Sequence, residues 1–163
     1  MNNMKKTLLV ISFILLFASP KLFAQFEGTV GFGVHTGYGA EINSLGLGAH
    51  IHYYRTNNLR FVPSYTYFIE RKNERMWMVD ADAHYILPVS ITASLYPIAG
   101  LHYSHWTFNE APDQVRKNRL GLNLGLGFQH DISYRVRANI DMKYQMIRDY
   151  SQLVLMAGFG FWF

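Results

Sequence analysis

The chain has 163 residues, room for one domain, and half of them are hydrophobic, with 16% of the chain aromatic. It has no cysteine, which excludes disulfides, thiolate metal sites, a cysteine nucleophile and a lipidated N-terminal cysteine. The formal net charge of +4 belongs largely to the N-terminus: without residues 1–24, Lys plus Arg falls from 15 to 12 against 11 Asp plus Glu, leaving +1 and no case for nucleic-acid binding.

Residues 1–24 read as a secretory signal peptide. Lys5 and Lys6 supply the basic n-region, and residues 8–18 form an apolar stretch too short to span a bilayer as an anchor helix. Pro20 breaks it, and Leu22-Phe23-Ala24 leads to an expected cut after Ala24, leaving residues 25–163 as the mature domain.

The mature chain alternates polar and apolar residues in eight stretches separated by turn signals. Residues 28–35 set Val30, Phe32 and Val34 against Gly31, Gly33 and His35, and a loop is expected over 38–44. Residues 45–54 set Leu45, Leu47, Ala49, Ile51 and Tyr53 against Gly46, Gly48, His50 and His52, before a turn at 56–58. Residues 59–69 place Leu59, Phe61, Tyr65 and Tyr67 opposite Arg60, Ser64 and Thr66, and a charged loop is expected over 70–75. Residues 76–86 oppose Trp77, Val79, Ala81, Ala83 and Tyr85 to Asp80, Asp82 and His84. After Leu87-Pro88, residues 91–104 oppose Ile91, Ala93, Leu95, Ala99, Leu101 and Tyr103 to Thr92, Ser94, Tyr96, Gly100, His102 and Ser104. The longest loop is expected over 106–117. Residues 118–130 set five consecutive apolar positions, Leu120 to Phe128, against Arg119, Asn123, Gln129 and three glycines. Residues 134–147 are the clearest strand: Arg135, Arg137, Asn139, Asp141, Lys143 and Gln145 on one face, Val136, Ala138, Ile140, Met142, Tyr144 and Met146 on the other. The last stretch is 153–163. Pro63 and Pro97 each remove a ladder donor, so a bulge or local bend is expected at one or both.

Eight strands with short links predict an all-β, antiparallel, up-and-down barrel, closed so that no edge is exposed. A soluble lipocalin-like barrel would bury the apolar faces; a transmembrane barrel would turn them to lipid. Aromatics collect near both strand ends of the apolar face, Tyr53, Phe61, Tyr85, Phe128, Phe161 and Phe163 at one rim and Tyr65, Tyr67, Trp77, Tyr103 and Tyr144 at the other. Two such belts suit two membrane interfaces. Glycines on the polar faces make room across a narrow lumen. With the export signal and the terminal Phe163, this pattern resembles the small outer-membrane β-barrels of the OmpA and OmpX type over the whole mature chain. The resemblance implies an outer-membrane monomer in contact with membrane lipid and lipopolysaccharide. It also implies an assembly signal at Phe161 and Phe163 read by the barrel-assembly machinery.

The interior of an eight-stranded barrel is just wide enough for side chains, so charges inside it must pair. The expected lumen network is Arg60, Asp80, Asp82, His84, Arg119, Asn123, Arg135, Arg137, Asp141 and Lys143. A packed, non-catalytic lumen without metal or cofactor is the first reading, and a narrow solute or ion pore the alternative. His35, His50, His52, His84 and His102 share the lumen face; His50 and His52 with Asp80 and Asp82 would be the metal ligands if there were any, while His105 and His130 fall on the outer face. His102-Tyr103-Ser104 resembles the His-x-Ser of the lipid A deacylases, also eight-stranded barrels, which would make His102 and Ser104 catalytic. The family's following Asn is His105 here, and its Glu falls near Arg116. Expected loop cations Arg71, Lys72, Arg75, Arg116, Lys117 and Arg148 could hold lipopolysaccharide phosphates or remain solvated. A three-residue link at 131–133 would pair Gln129 with Arg135, Gly127 with Arg137 and Asn123 with Asp141.

Overall fold

A computed structural model describes residues 27–71, 73–110, 113–148 and 150–162. The signal peptide with its cut site, Lys72, Pro112 and Phe163 lie outside the described residues. Eight long strands carry the fold: β1 (Val30–Gly39), β2 (Ser44–Tyr54), β3 (Leu59–Arg71), β4 (Glu74–Tyr85), β6 (Ala93–Glu110), β7 (Asp113–Asp131), β8 (Val136–Ile147) and β9 (Gln152–Trp162). The two-residue β5 (Leu87–Pro88) continues β4 on the same neighbour, with Leu87 opposite Leu95. Each long strand pairs antiparallel with its sequence neighbours, and β1 pairs with β9 from Gly31↔Trp162 to Gly39↔Val154, closing the barrel.

The alternation resolves the choice of barrel. Lipid-face residues are exposed, with Leu101 at 64% and Leu126 at 60%, while Arg60 and Asn123 are completely buried. Such a surface would be insoluble in water and is the inverse of a soluble barrel's. Tyr53 faces Phe61 and Phe32 faces Phe161 at one rim. At the other, the Trp77 ring meets Tyr65, Tyr103 and His105 at centroid distances of 6.1, 5.6 and 5.4 Å. We call the end where β1 begins and β9 finishes the base, and the opposite end the crown.

Several boundaries differ from the sequence reading. β1 runs to Gly39, so the expected 38–44 loop shrinks to a turn that Asn43 closes at φ 49°, a conformation Asn tolerates better than most residues. The charged 70–75 segment is mostly strand, with Arg71 opposite Glu74 and a register irregularity between Phe68 and Arg71. The expected 106–117 loop is a paired hairpin reaching Glu110↔Asp113, anchored at its root by Trp106, which is wholly buried. The prolines shift no register: Pro63 sits opposite Ala81, and Pro97 lies where the β4–β6 ladder stops at His84↔Ile98 before resuming in β5. The β7–β8 hairpin has a longer turn than expected, and its last rung is Asp131↔Arg137. Gln129 therefore faces Asn139, Gly127 faces Asp141 and Asn123 faces Gln145. The Arg137 guanidinium grips the Asp131 carboxylate across that rung, which fixes it.

Candidate functional site: the filled lumen

Strand periodicity sends every second side chain inward, and the inward set divides into three layers. At the crown, Phe68, Met76, Met78, Trp106, Val154 and Met156 form an apolar plug with Ile42. At the base, Tyr54, Ile86, Tyr96, Ile98 and Trp162 form a second. Between them lies a polar layer in which Lys143 pairs with Asp80 and Asp82, while Arg60 and Asp141 are hydrogen-bonded to neutral side chains, as burial in so narrow a space requires.

Lys143 of β8 crosses the lumen to β4, its Nζ donating to Asp80 Oδ2 at 2.5 Å and Asp82 Oδ2 at 2.9 Å. His102 Nδ1 donates to Asp80 Oδ1 at 2.7 Å, and Asn123 Nδ2 donates to Asp82 Oδ1 at 2.8 Å. Nearer the base, Arg60 donates to Gln129 Oε1 and to His84 Nδ1, both at 2.8 Å. Its guanidinium lies 4.9 Å from the Tyr96 ring centre, and His84 stacks on that ring at 4.8 Å. Tyr96 donates to Asp141 Oδ1 at 2.5 Å, and Arg137 donates to Tyr54 Oη at 2.5 Å.

The opposite wall, from β1, β2 and β9, is built of glycines and imidazoles. His50 and His52 stack at 4.5 Å, and His35 Nδ1 lies 3.0 Å from His50 Nδ1. Each ring faces a glycine on the next strand: His52 opposite Gly31, His50 opposite Gly33, His35 opposite Gly48 and Gly158. A Cβ at Gly33 would overlap the His50 ring, and one at Gly158 would sit 2.8 Å from His35 Cβ. A cavity of about 20 Å³ remains between the two walls, bordered by His50, His52, His84, Asn139 and Lys143. That is room for a water molecule.

Of the ten residues expected in the network, Arg60, Asp80, Asp82, His84, Asn123, Arg137, Asp141 and Lys143 meet in this layer. Two do not. Arg135 is exposed in the β7–β8 turn, its guanidinium 5.4 Å from the Tyr134 ring centre, because the longer turn takes it past the last rung. Arg119 sits at the crown, 3.8 Å from the Tyr150 ring centre and 5.1 Å from that of Trp106. Tyr54, Asp131, Gln145 and Gln152 complete the interior and were not singled out from the sequence. Gln145 and Gln152 share a bond of 2.8 Å beneath the crown plug.

The other chemical candidates are placed as follows. His102 and Ser104 both face inward and are buried, and Ser104 Oγ accepts a bond from Trp106 Nε1 at 3.0 Å. Neither side chain faces the membrane, where a lipid substrate would lie. Among the described residues, no group of three His, Asp or Glu is arranged to hold a metal ion. Arg71 is tied to Asn43 by bonds of 2.6 Å to its carbonyl and 3.1 Å to its side chain.

A family model described as outer membrane protein beta-barrel domain matches residues 14–163. Among solved structures, the N-terminal β-barrel domain of Pseudomonas aeruginosa OprF is similar at 19% identity and a TM-score of 0.71, covering 86% of this chain and 100% of that one. Neisserial surface protein A is similar at 17% identity and a TM-score of 0.67, covering 83% and 96%. Ail, the attachment invasion locus protein of Yersinia pestis, is similar at 17% identity and a TM-score of 0.64, covering 84% and 99%. At such identities the likeness is one of fold. No curated protein matches the chain by sequence.

Proposed function

Because the chain belongs to the outer membrane protein beta-barrel domain family and resides in the outer membrane, we propose that it is a non-enzymatic envelope barrel with a closed lumen and an interacting outer surface. The observation that carries this is the sealing of a hydrogen-bonded polar layer, centred on Lys143 with Asp80 and Asp82, between two apolar plugs. A conducting barrel needs a continuous wet path, and each plug interrupts it with packed side chains. An enzyme of this architecture would need its nucleophile where lipid or solvent reaches, and Ser104 is wholly buried. In bacterial barrels the short turns lie in the periplasm and the longer connections outside. On that rule the crown, with its projecting β6–β7 hairpin, faces the exterior. The crown is also the end that meets lipopolysaccharide. Ail, a barrel of this fold, has been solved in complex with the heparin analogue sucrose octasulfate, a polyanion. Phe161 and Phe163 serve as the signal for the barrel-assembly machinery, and the barrel is a monomer. Single-channel recording of the purified protein in planar bilayers tests the closed lumen. No stepwise conductance is expected; steady conductance would overturn the reading in favour of a pore.

A further inference from the structure

Four imidazoles border the cavity inside the polar layer: His35 on β1, His50 and His52 on β2, and His84 on β4. Two of the bonds they make need a bare ring nitrogen. Arg60 Nη2 donates to His84 Nδ1 at 2.8 Å, so that nitrogen carries a lone pair and no proton. An imidazolium has N–H on both nitrogens, so a proton added to His84 would set N–H against N–H beside a guanidinium. His35 Nδ1 and His50 Nδ1, 3.0 Å apart, share one proton, and protonating both rings breaks that bond in the same way.

Charges face this cluster from several walls. Arg60 of β3 and Lys143 of β8 are the near cations, with Arg137 of β8 behind the Trp162 ring. Asp82 of β4 and Asp141 of β8 are the carboxylates on the cavity, with Asp80 next to Lys143. All three are already bonded, Asp82 to Lys143 and Asn123, Asp80 to Lys143 and His102, Asp141 to Tyr96. β6 and β7 present the neutral Tyr96, Asn123 and Gln129. The imidazoles also carry the base plug: His84 stacks on Tyr96 at 4.8 Å, and His52 packs 5.3 Å from the Trp162 ring centre. The Arg60 guanidinium lies 4.9 Å from the centre of that same Tyr96 ring, so an imidazolium at His84 would compete with it for one π-face.

We propose that these histidines form an acid-sensitive latch: protonation of His84, then of the His35–His50 pair, breaks their bonds, frees the base plug and admits water to the polar layer from the base. A histidine side chain ordinarily changes charge between about pH 5 and 8, so the latch is set at neutral pH and released in acid. The proposal rests on the closed lumen and adds a condition under which one end loosens.

The test follows acrylamide quenching of Trp162 in detergent micelles, using a variant with Trp77→Phe and Trp106→Phe, from about pH 7.5 to about pH 4.5, a span that brackets the imidazole range. The quenching constant should rise severalfold in acid and return on neutralisation, while the far-UV circular dichroism of the strands stays unchanged. His84→Gln should flatten the rise, because its Oε1 still accepts from Arg60 and takes no proton. His35→Gln with His50→Gln, made separately, should diminish it. His105→Gln, on the outer face, should leave it intact. A pH-independent constant, loss of the strand signal in acid, an undiminished rise in both lumen variants, or a rise abolished by His105→Gln would each overturn the latch. Steady conductance at neutral pH would instead remove the closed-lumen reading, and a silent bilayer record with pH-independent quenching would remove the latch alone.

Discussion

Replacing Gly127 by Leu probes the lumen packing most sharply. Gly127 lies on β7 opposite Asp141, with Tyr96 on the other neighbouring strand. A Cβ placed there would overlap the Tyr96 ring and come within 2.5 Å of Asp141 Oδ1. Tyr96 cannot yield easily. It is wholly buried, stacked on His84, under the Arg60 guanidinium and bonded to Asp141. Overpacking a rigid site costs about 1–3 kcal/mol, and losing the Tyr96 bond to a carboxylate adds about 1.5–3 kcal/mol. Gly127→Leu should therefore destabilise the barrel by about 2.5–6 kcal/mol. The same residue added on the lipid face, Ala138→Leu, should stay within about 0.5 kcal/mol, as surface substitutions usually do. Denaturant unfolding in lipid vesicles measures both. A harmless Gly127→Leu beside a damaging Ala138→Leu would refute the inside–outside assignment.

Other expectations follow from the same interior. Lys143→Met should cost about 3–5 kcal/mol by stranding Asp80 and Asp82, and adding Asp80→Asn and Asp82→Asn should recover most of it, both read by the same unfolding assay. Oxidation of a Phe128→Cys, Ile140→Cys pair should give an efficient cross-link, since these residues face each other, whereas Phe128→Cys with Val136→Cys should not. Deleting Phe163 should lower the amount of folded barrel in cells while leaving refolding in detergent intact; equal cellular levels would argue against an assembly role.

The strand faces were legible because a period of two, inverted relative to a soluble protein, survives small errors in boundaries. Register was not, and the β7–β8 hairpin shows why. The expected and observed pairings differ by an even number of residues, so every side chain keeps its face and the hydrophobic pattern is satisfied by both. What separates them is particular: the Asp131–Arg137 grip and the matching of glycine to bulk, such as Gly31 to His52. Arg135 was misplaced by the same degeneracy, lying on the right face but past the last rung. The plugs were harder still. Met76, Met78 and Trp162 are apolar residues opposite the lipid-facing set of their strands, and Trp106 falls in the expected 106–117 loop; only their convergence at the two ends of the lumen reveals their role. The crown hairpin was hidden because its polar composition outweighs the buried Trp106 at its root.

The three tryptophans give the most direct test of the inverted barrel. Trp77 is on the outer face beside Tyr65 and Tyr103, whereas Trp106 and Trp162 are buried in the crown and base plugs. Variants keeping one tryptophan each, with Phe at the other two positions, can be refolded into vesicles of brominated phosphatidylcholine and their fluorescence quenching compared. Strong quenching of Trp77 with weak quenching of Trp106 and Trp162 is the expected result; the reverse order would contradict the account.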